Sequence, residues 1–335
     1  MKKLIIKNSG IIALVIAIGM FLFTSLKNKK MERIETASAT MQNVNFKRDG
    51  LRLAGHLFLP PNFEASSEYP ALIVQGSVSS VKEMMPDNYA AKLSAEGFVV
   101  LNFDYASWGE SEGEPRQNEN VAGKLLDLQA AVTFLEQLSY VSDIGMVGIC
   151  TSGGNAAYLA AADKRVKAVS AVVPWMYEPA LAEPFWGLET LRSNHEKSVE
   201  AKDHFVKTGE NKTTRIFTND PKVEGFNLTP GEYYFDDSRG GSIANWKNEV
   251  SWSSWIDWVE IFDPISEAPE ISIPFQVFST DDALIPLQAK KFYESLNTEK
   301  ELVWGTGYHF DFYDKPTEIN QALDAIVPFM QKHLD

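Results

Sequence analysis

Apolar residues along this chain recur with two different periods. The run Leu51-Arg52-Leu53-Ala54-Gly55-His56-Leu57-Phe58-Leu59 alternates apolar and polar positions, which predicts a strand with one buried face. Predominantly apolar runs at residues 71–74, 97–105, 144–147, 166–174 and 274–280 predict strands buried on both faces. Between them, residues 127–135, 155–161 and 289–293 follow a helical period, and a closing helix is expected from about Thr317 to His333. Strand and helix in alternation predict an α/β class: a mostly parallel central sheet with helices on both faces.

The rhythm breaks once. Residues 175–270 form a stretch longer than one crossover needs, between the strand near 166–174 and the strand near 274–280. It holds six of the eight tryptophans: Trp175, Trp186, Trp246, Trp252, Trp255 and Trp258. Both ends should open at the C-terminal edge of the sheet, so an inserted cap or lid with an aromatic lining is expected. Tryptophans packing the insertion onto its own core would give the same composition.

Gly148-Ile149-Cys150-Thr151-Ser152-Gly153-Gly154 contains the only cysteine of 335 residues. It follows the apolar run at 144–147 and precedes a small-residue helix pattern. Strand, sharp small-residue turn and helix together form the setting of a nucleophile elbow. Counting from Gly148 puts Cys150 at the tip and leaves the apolar run unbroken. Counting two residues later puts Ser152 there as the alternative nucleophile. Without partners, Cys150 would read as a small buried apolar residue.

Partners follow downstream in the order nucleophile, acid, histidine. Asp282 leaves the strand at 274–280 and precedes Leu284-Ile285-Pro286, with Asp281 as the alternative acid. His309 lies on the loop Gly305-Thr306-Gly307-Tyr308-His309, after the strand at 301–304. A thiol of ordinary pKa, about 8.5, is mostly protonated at neutral pH, so a base is required. His309 would take the proton, and Asp282 would hold the other ring N–H. The Thr151 backbone N–H would be one oxyanion donor, and Ser77 or Val78, on the loop after the strand at 71–74, the other.

On these residues the chain resembles the α/β-hydrolases, and within them a dienelactone-hydrolase-like bacterial branch whose elbow reads Gly-x-Cys-x-Ser-Gly-Gly. The resemblance covers residues 43–333. It includes Gly109-Glu110-Ser111-Glu112-Gly113, Pro115-Arg116 and the terminal His309-Phe310-Asp311-Phe312-Tyr313-Asp314. It implies an α/β-hydrolase fold and acyl chemistry, although many relatives carry serine where this chain has Cys150.

Charge narrows the partners. With 31 Lys+Arg against 45 Asp+Glu, the net charge is −14, which repels nucleic acid. No zinc-spaced Cys/His cluster or phosphate-binding glycine loop occurs, so neither metal nor cofactor is expected. Lys2, Lys3 and Lys7 precede an apolar run from Ile11 to about Leu26, and Lys27, Lys29, Lys30 and Arg33 follow it. This reads as an N-terminal membrane anchor and linker over 1–40, with the hydrolase domain of 41–335 held outside the cytoplasm. Export with cleavage of the segment is the alternative. The expected activity is cleavage of an ester, thioester or lactone-like bond in a small-molecule acyl substrate, through a covalent acyl-enzyme. Acyl transfer, peptidase activity, or a non-catalytic binding role on the same scaffold are the alternatives.

Overall fold

Strand β1 (Thr40–Arg48) pairs antiparallel with β2 (Leu51–Leu59) through a two-residue turn in which Asp49 and Gly50 both take positive φ. The structure, a computed structural model, describes residues 40–334 apart from 219, 221–224 and 229–230. β2 crosses antiparallel onto β4 (Val99–Phe103), and from there inward every pairing is parallel. With β3 (Tyr69–Gln75), β5 (Val141–Ile149), β6 (Val166–Val172), β10 (Phe275–Thr280) and β11 (Lys300–Gly305), the order is β1-β2-β4-β3-β5-β6-β10-β11. β5 sits in the middle, and the predominantly apolar strands β3, β4 and β10 are buried on both faces.

Helices cover both faces. α1 (Met85–Ala95) begins with Pro86 in its first turn, where a missing N–H costs nothing. α2 (Val121–Glu136) is capped by Asn120, whose side chain accepts from the Gly123 N–H at 2.5 Å. α3 (Thr151–Ala162) follows β5 directly. Past β6 come α4 (Ala182–Trp186), α5 (Leu188–Thr208) and a small sheet of β7 (Thr213–Phe217), β8 (Gly225–Leu228) and β9 (Val250–Ser251), ordered β8-β7-β9. A short helix α6 (Glu232–Phe235) lies between β8 and β9. α7 (Pro286–Ser295) links β10 to β11, and α8 (Pro316–His333) closes the chain. α8 buries Ile319, Ala322, Leu323, Ile326, Phe329 and Met330, one stripe at helical spacing.

The membrane placement requires correction. Among the described residues no helix is long and apolar enough to cross a membrane, and the expected anchor at residues 11–26 lies outside the described residues. A spanning helix needs about 20 nearly uncharged residues. The longest helix here, α5, carries charge at every turn from Glu189 to Lys207. Neither the anchored nor the outward localisation is retained.

Candidate active site

β5 ends at Ile149, α3 starts at Thr151, and Cys150 makes the whole turn between them with φ +54° and ψ −118°. For a residue with a Cβ this backbone costs on the order of 1–3 kcal/mol, so neighbours must hold it. The Cys150 N–H donates to the Val172 carbonyl at 3.0 Å, and its own carbonyl accepts from Gly153 at 2.9 Å and Trp175 at 2.8 Å. The Ser152 N–H donates to the Gly76 carbonyl at 3.2 Å, tying the turn to the loop after β3.

Small residues let strand and helix close on each other. A Cβ on Gly148 would run into the Ser152 carbonyl, and one on Gly153 would lie 2.5 Å from the Pro174 Cβ. Gly148→Ala is therefore expected to lower stability by about 2 kcal/mol, an overpacking cost. It should also depress acylation of Cys150, readable as a lower urea midpoint together with a slower reaction with an activated ester.

The Cys150 side chain lines a cavity of about 270 Å³. Trp175, Phe217, Tyr234, Trp258, Phe310 and Tyr313 form much of its wall. Residues of the insertion thus supply aromatic surface to the cavity. Trp175 and Trp258 stack with planes 9° apart and centroids 6.0 Å apart, and Phe217 stacks on Tyr234 at 3.8 Å. Trp255 is buried within the insertion itself, so the six tryptophans divide between wall and core.

Burial pushes the Cys150 thiol above its ordinary pKa, partly offset by the Tyr313 hydroxyl, by Thr151, and by the backbone N–H of Val78, all turned toward the sulfur. The backbone N–H groups of Thr151 and Val78 thus both face the sulfur. The hydroxyl of Ser77, whose backbone N–H is the alternative expected donor, shares a hydrogen bond with the Tyr234 Oη at 2.5 Å. The Ser79 N–H donates to Glu119 at 2.8 Å, and Glu119 is paired with buried Lys124, which fixes this loop from beneath. Ser152 is the second residue of α3 and is not part of the cavity wall, its Oγ 3.3 Å from the Tyr105 hydroxyl.

His309 begins a 3₁₀ turn, His309–Tyr313, and is buried. Its Nε2 lies 3.0 Å from the Tyr313 Oη, and its Nδ1 faces the Leu284 N–H at 3.5 Å. The Asp282 carbonyl accepts from the His309 N–H at 3.3 Å, whereas the Asp282 side chain is exposed. Asp281 accepts from the Trp304 indole at 2.9 Å, away from the ring. The loop after β10 therefore presents backbone to the imidazole, and burial alone pulls His309 down to about 3. Arg239 of the insertion clamps the turn from the other side, with bonds of 2.8 Å to Asp314 and to the Phe310 carbonyl. Among the described residues no cluster suited to a metal ion occurs.

A family model for the alpha/beta hydrolase fold matches residues 72–316. The chain belongs to that family. This alpha/beta hydrolase is 25% identical to YcjY of Escherichia coli (strain K12), a protein of uncharacterized function, over 87% of this chain and 97% of that one. The solved structure of a hypothetical protein, PA2218 of Pseudomonas aeruginosa, has a TM-score of 0.77 at 26% identity, covering 89% of this chain and 95% of that chain. The thiohydrolase aneE of Aspergillus aculeatus is 38% identical over 38% of this chain and 39% of its own length. Family and relatives place this hydrolase-fold chain among enzymes and agree with the fold expected from its strand–helix rhythm.

Three residues at this site were missed by reading the sequence. Tyr313 sits in a quoted motif but drew no role, although four residues after His309 is one helical turn. Tyr234 and Glu119 come from distant segments and carry no local signal.

Proposed function

We propose that this alpha/beta hydrolase cleaves an activated acyl bond, a thioester above all, through an acyl-enzyme on Cys150. The carrying observation is the Cys150 sulfur itself, held at a positive-φ turn in an aromatic cavity with the Val78 and Thr151 N–H groups aimed at it. Sulfur attacks the acyl carbon, and the carbonyl π pair moves onto oxygen, where those two N–H groups stabilise it. Collapse expels the leaving group, and water later releases the acid. His309 holds the proton between steps. Asp282, whose carbonyl already binds the His309 amide, supplies the orienting carboxylate once its side chain turns in from solvent.

A thioester is favoured on leaving-group grounds. Attack by a thiolate exchanges sulfur for sulfur, so both exits from the tetrahedral intermediate have matched basicity, whereas an alkoxide must be protonated to leave. The thiohydrolase relative points the same way. The cavity is just below the range of about 300–1,000 Å³ usual for small-molecule sites, which suits a short to medium acyl group. Trp175, Phe217, Tyr234 and Trp258 of the insertion wall it, which supports reading the insertion as a lid.

The test is a panel of acyl thioesters and p-nitrophenyl esters of rising acyl length on the full chain. Higher kcat/KM for thioesters than for alkyl esters of the same acyl group, with a fall at long chains, is expected. Equal rates for thioester and alkyl ester, or turnover of neither, would remove the thioester assignment.

A further inference from the structure

The base and the nucleophile do not meet directly in this site. His309 is 1% exposed and lies behind the cavity wall, while Tyr313 is part of that wall. Tyr313 Oη stands 3.0 Å from the His309 Nε2, and the same hydroxyl faces the Cys150 sulfur. Resting on the reading of Cys150 as nucleophile, we propose that Tyr313 is a catalytic residue that relays the proton between the Cys150 sulfur and the His309 Nε2.

The hydroxyl is held for this task. The Tyr313 ring packs edge-on against Tyr233 at 5.1 Å and Phe310 at 5.2 Å, and its carbonyl accepts from Asn88 at 2.9 Å. Tyr234, bonded to Ser77, packs against it from the insertion with ring centroids 6.4 Å apart. The titratable groups facing the Tyr313 hydroxyl are thus Cys150, His309 and Tyr234, and none is a carboxylate. In such surroundings a phenolate is costly, and burial pushes the Tyr313 phenol well above its usual 10.

Relay needs no phenolate. The Cys150 S–H proton passes to the Tyr313 oxygen as the Tyr313 proton passes to the lone pair of Nε2. One proton has then moved from sulfur to imidazole, the tyrosine is neutral again, and its O–H now donates to the thiolate. The freed sulfur pair forms the bond to the acyl carbon. On collapse the path runs backwards: Nε2–H returns its proton to the Tyr313 oxygen as Tyr313 gives its own to the departing group. The imidazole must present a bare Nε2, which requires its proton on Nδ1; because the Leu284 N–H faces Nδ1 at 3.5 Å here, the relay state has the Asp282 carboxylate turned in to accept that Nδ1–H in place of this contact.

The test compares the full chain with Tyr313→Phe and, separately, Cys150→Ala. The readouts are the burst of p-nitrophenol from an activated ester, the pH profile of Cys150 alkylation by iodoacetamide, and the thermal midpoint. Tyr313→Phe is expected to keep its fold, slow the burst about 10²–10³-fold, and shift the alkylation midpoint to higher pH, because the thiolate loses a donor. A burst at the parent rate with an unmoved alkylation midpoint would overturn the relay. A burst that survives in Cys150→Ala would instead overturn the underlying assignment of the nucleophile. Should Tyr313→Phe fail to fold, the burst of the parent protein in mixed H₂O and D₂O decides. Two protons in motion give a bowed dependence on deuterium fraction, and a straight line would remove the relay.

Discussion

Cys150→Ala is expected to abolish acyl-enzyme formation, with kcat falling by about 10⁴-fold or more, the scale seen when a nucleophile is removed while the oxyanion donors stay. Ser152→Ala is expected to retain much of the activity. The contrast follows from the register of the turn. Cys150 occupies the strained position with its sulfur in the cavity, whereas the Ser152 hydroxyl points toward Tyr105 and is also reached by Asn155 at 3.4 Å. Mass spectrometry after a short exposure to an acylating probe reads the outcome directly, as one adduct on the parent chain and on Ser152→Ala and none on Cys150→Ala. An adduct that follows Ser152 instead would move the nucleophile two residues. Ser152→Ala also removes one of the Tyr105 hydroxyl's partners, leaving Asn155, so a small loss of stability is expected and does not bear on the assignment.

Acid should destabilise this fold through His309. Its ring is buried with Phe310 at 5.1 Å and Tyr313 at 5.5 Å between centroids, and it titrates near 3 in the fold because burial disfavours the cation. In the unfolded chain the same ring takes up a proton near 6.5. Between those two values the unfolded state holds the extra proton, so stability falls as pH falls. From pH 7 to pH 4 the contribution is about 3 kcal/mol. Urea unfolding at both pH values checks it against His309→Gln, which cannot titrate. The parent should lose about 3 kcal/mol more than the variant, and equal losses would show that the ring is protonated in the fold.

Much of this molecule is legible along the chain. The predominantly apolar runs at β3, β5, β6 and β10 point to parallel strands because a strand buried on both faces has no polar side to alternate. Gly148 and Gly153 mark a turn where two backbones approach, so the elbow is visible from residue size alone. The tryptophan-rich interval at 175–270 is visible as a break in rhythm. The N-terminal apolar run gave an expectation of a membrane that the described helices do not support.

What stayed hidden are contacts between segments far apart in sequence. Whether Asp282 meets His309 depends on how a short loop turns its side chains, and local sequence carries no trace of that choice. Here the loop offers a carbonyl and an N–H to the histidine and its carboxylate to solvent. Tyr234 reaches Ser77 across 157 positions, and Arg239 reaches Asp314 across 75. The sequence by itself determined the strand–helix alternation and the small-residue turn around Cys150, because burial period and residue size are local properties. Only the tertiary structure decided that a tyrosine hydroxyl stands between the histidine and the sulfur. That position is set by the packing of the 3₁₀ turn against the insertion, which no local pattern encodes.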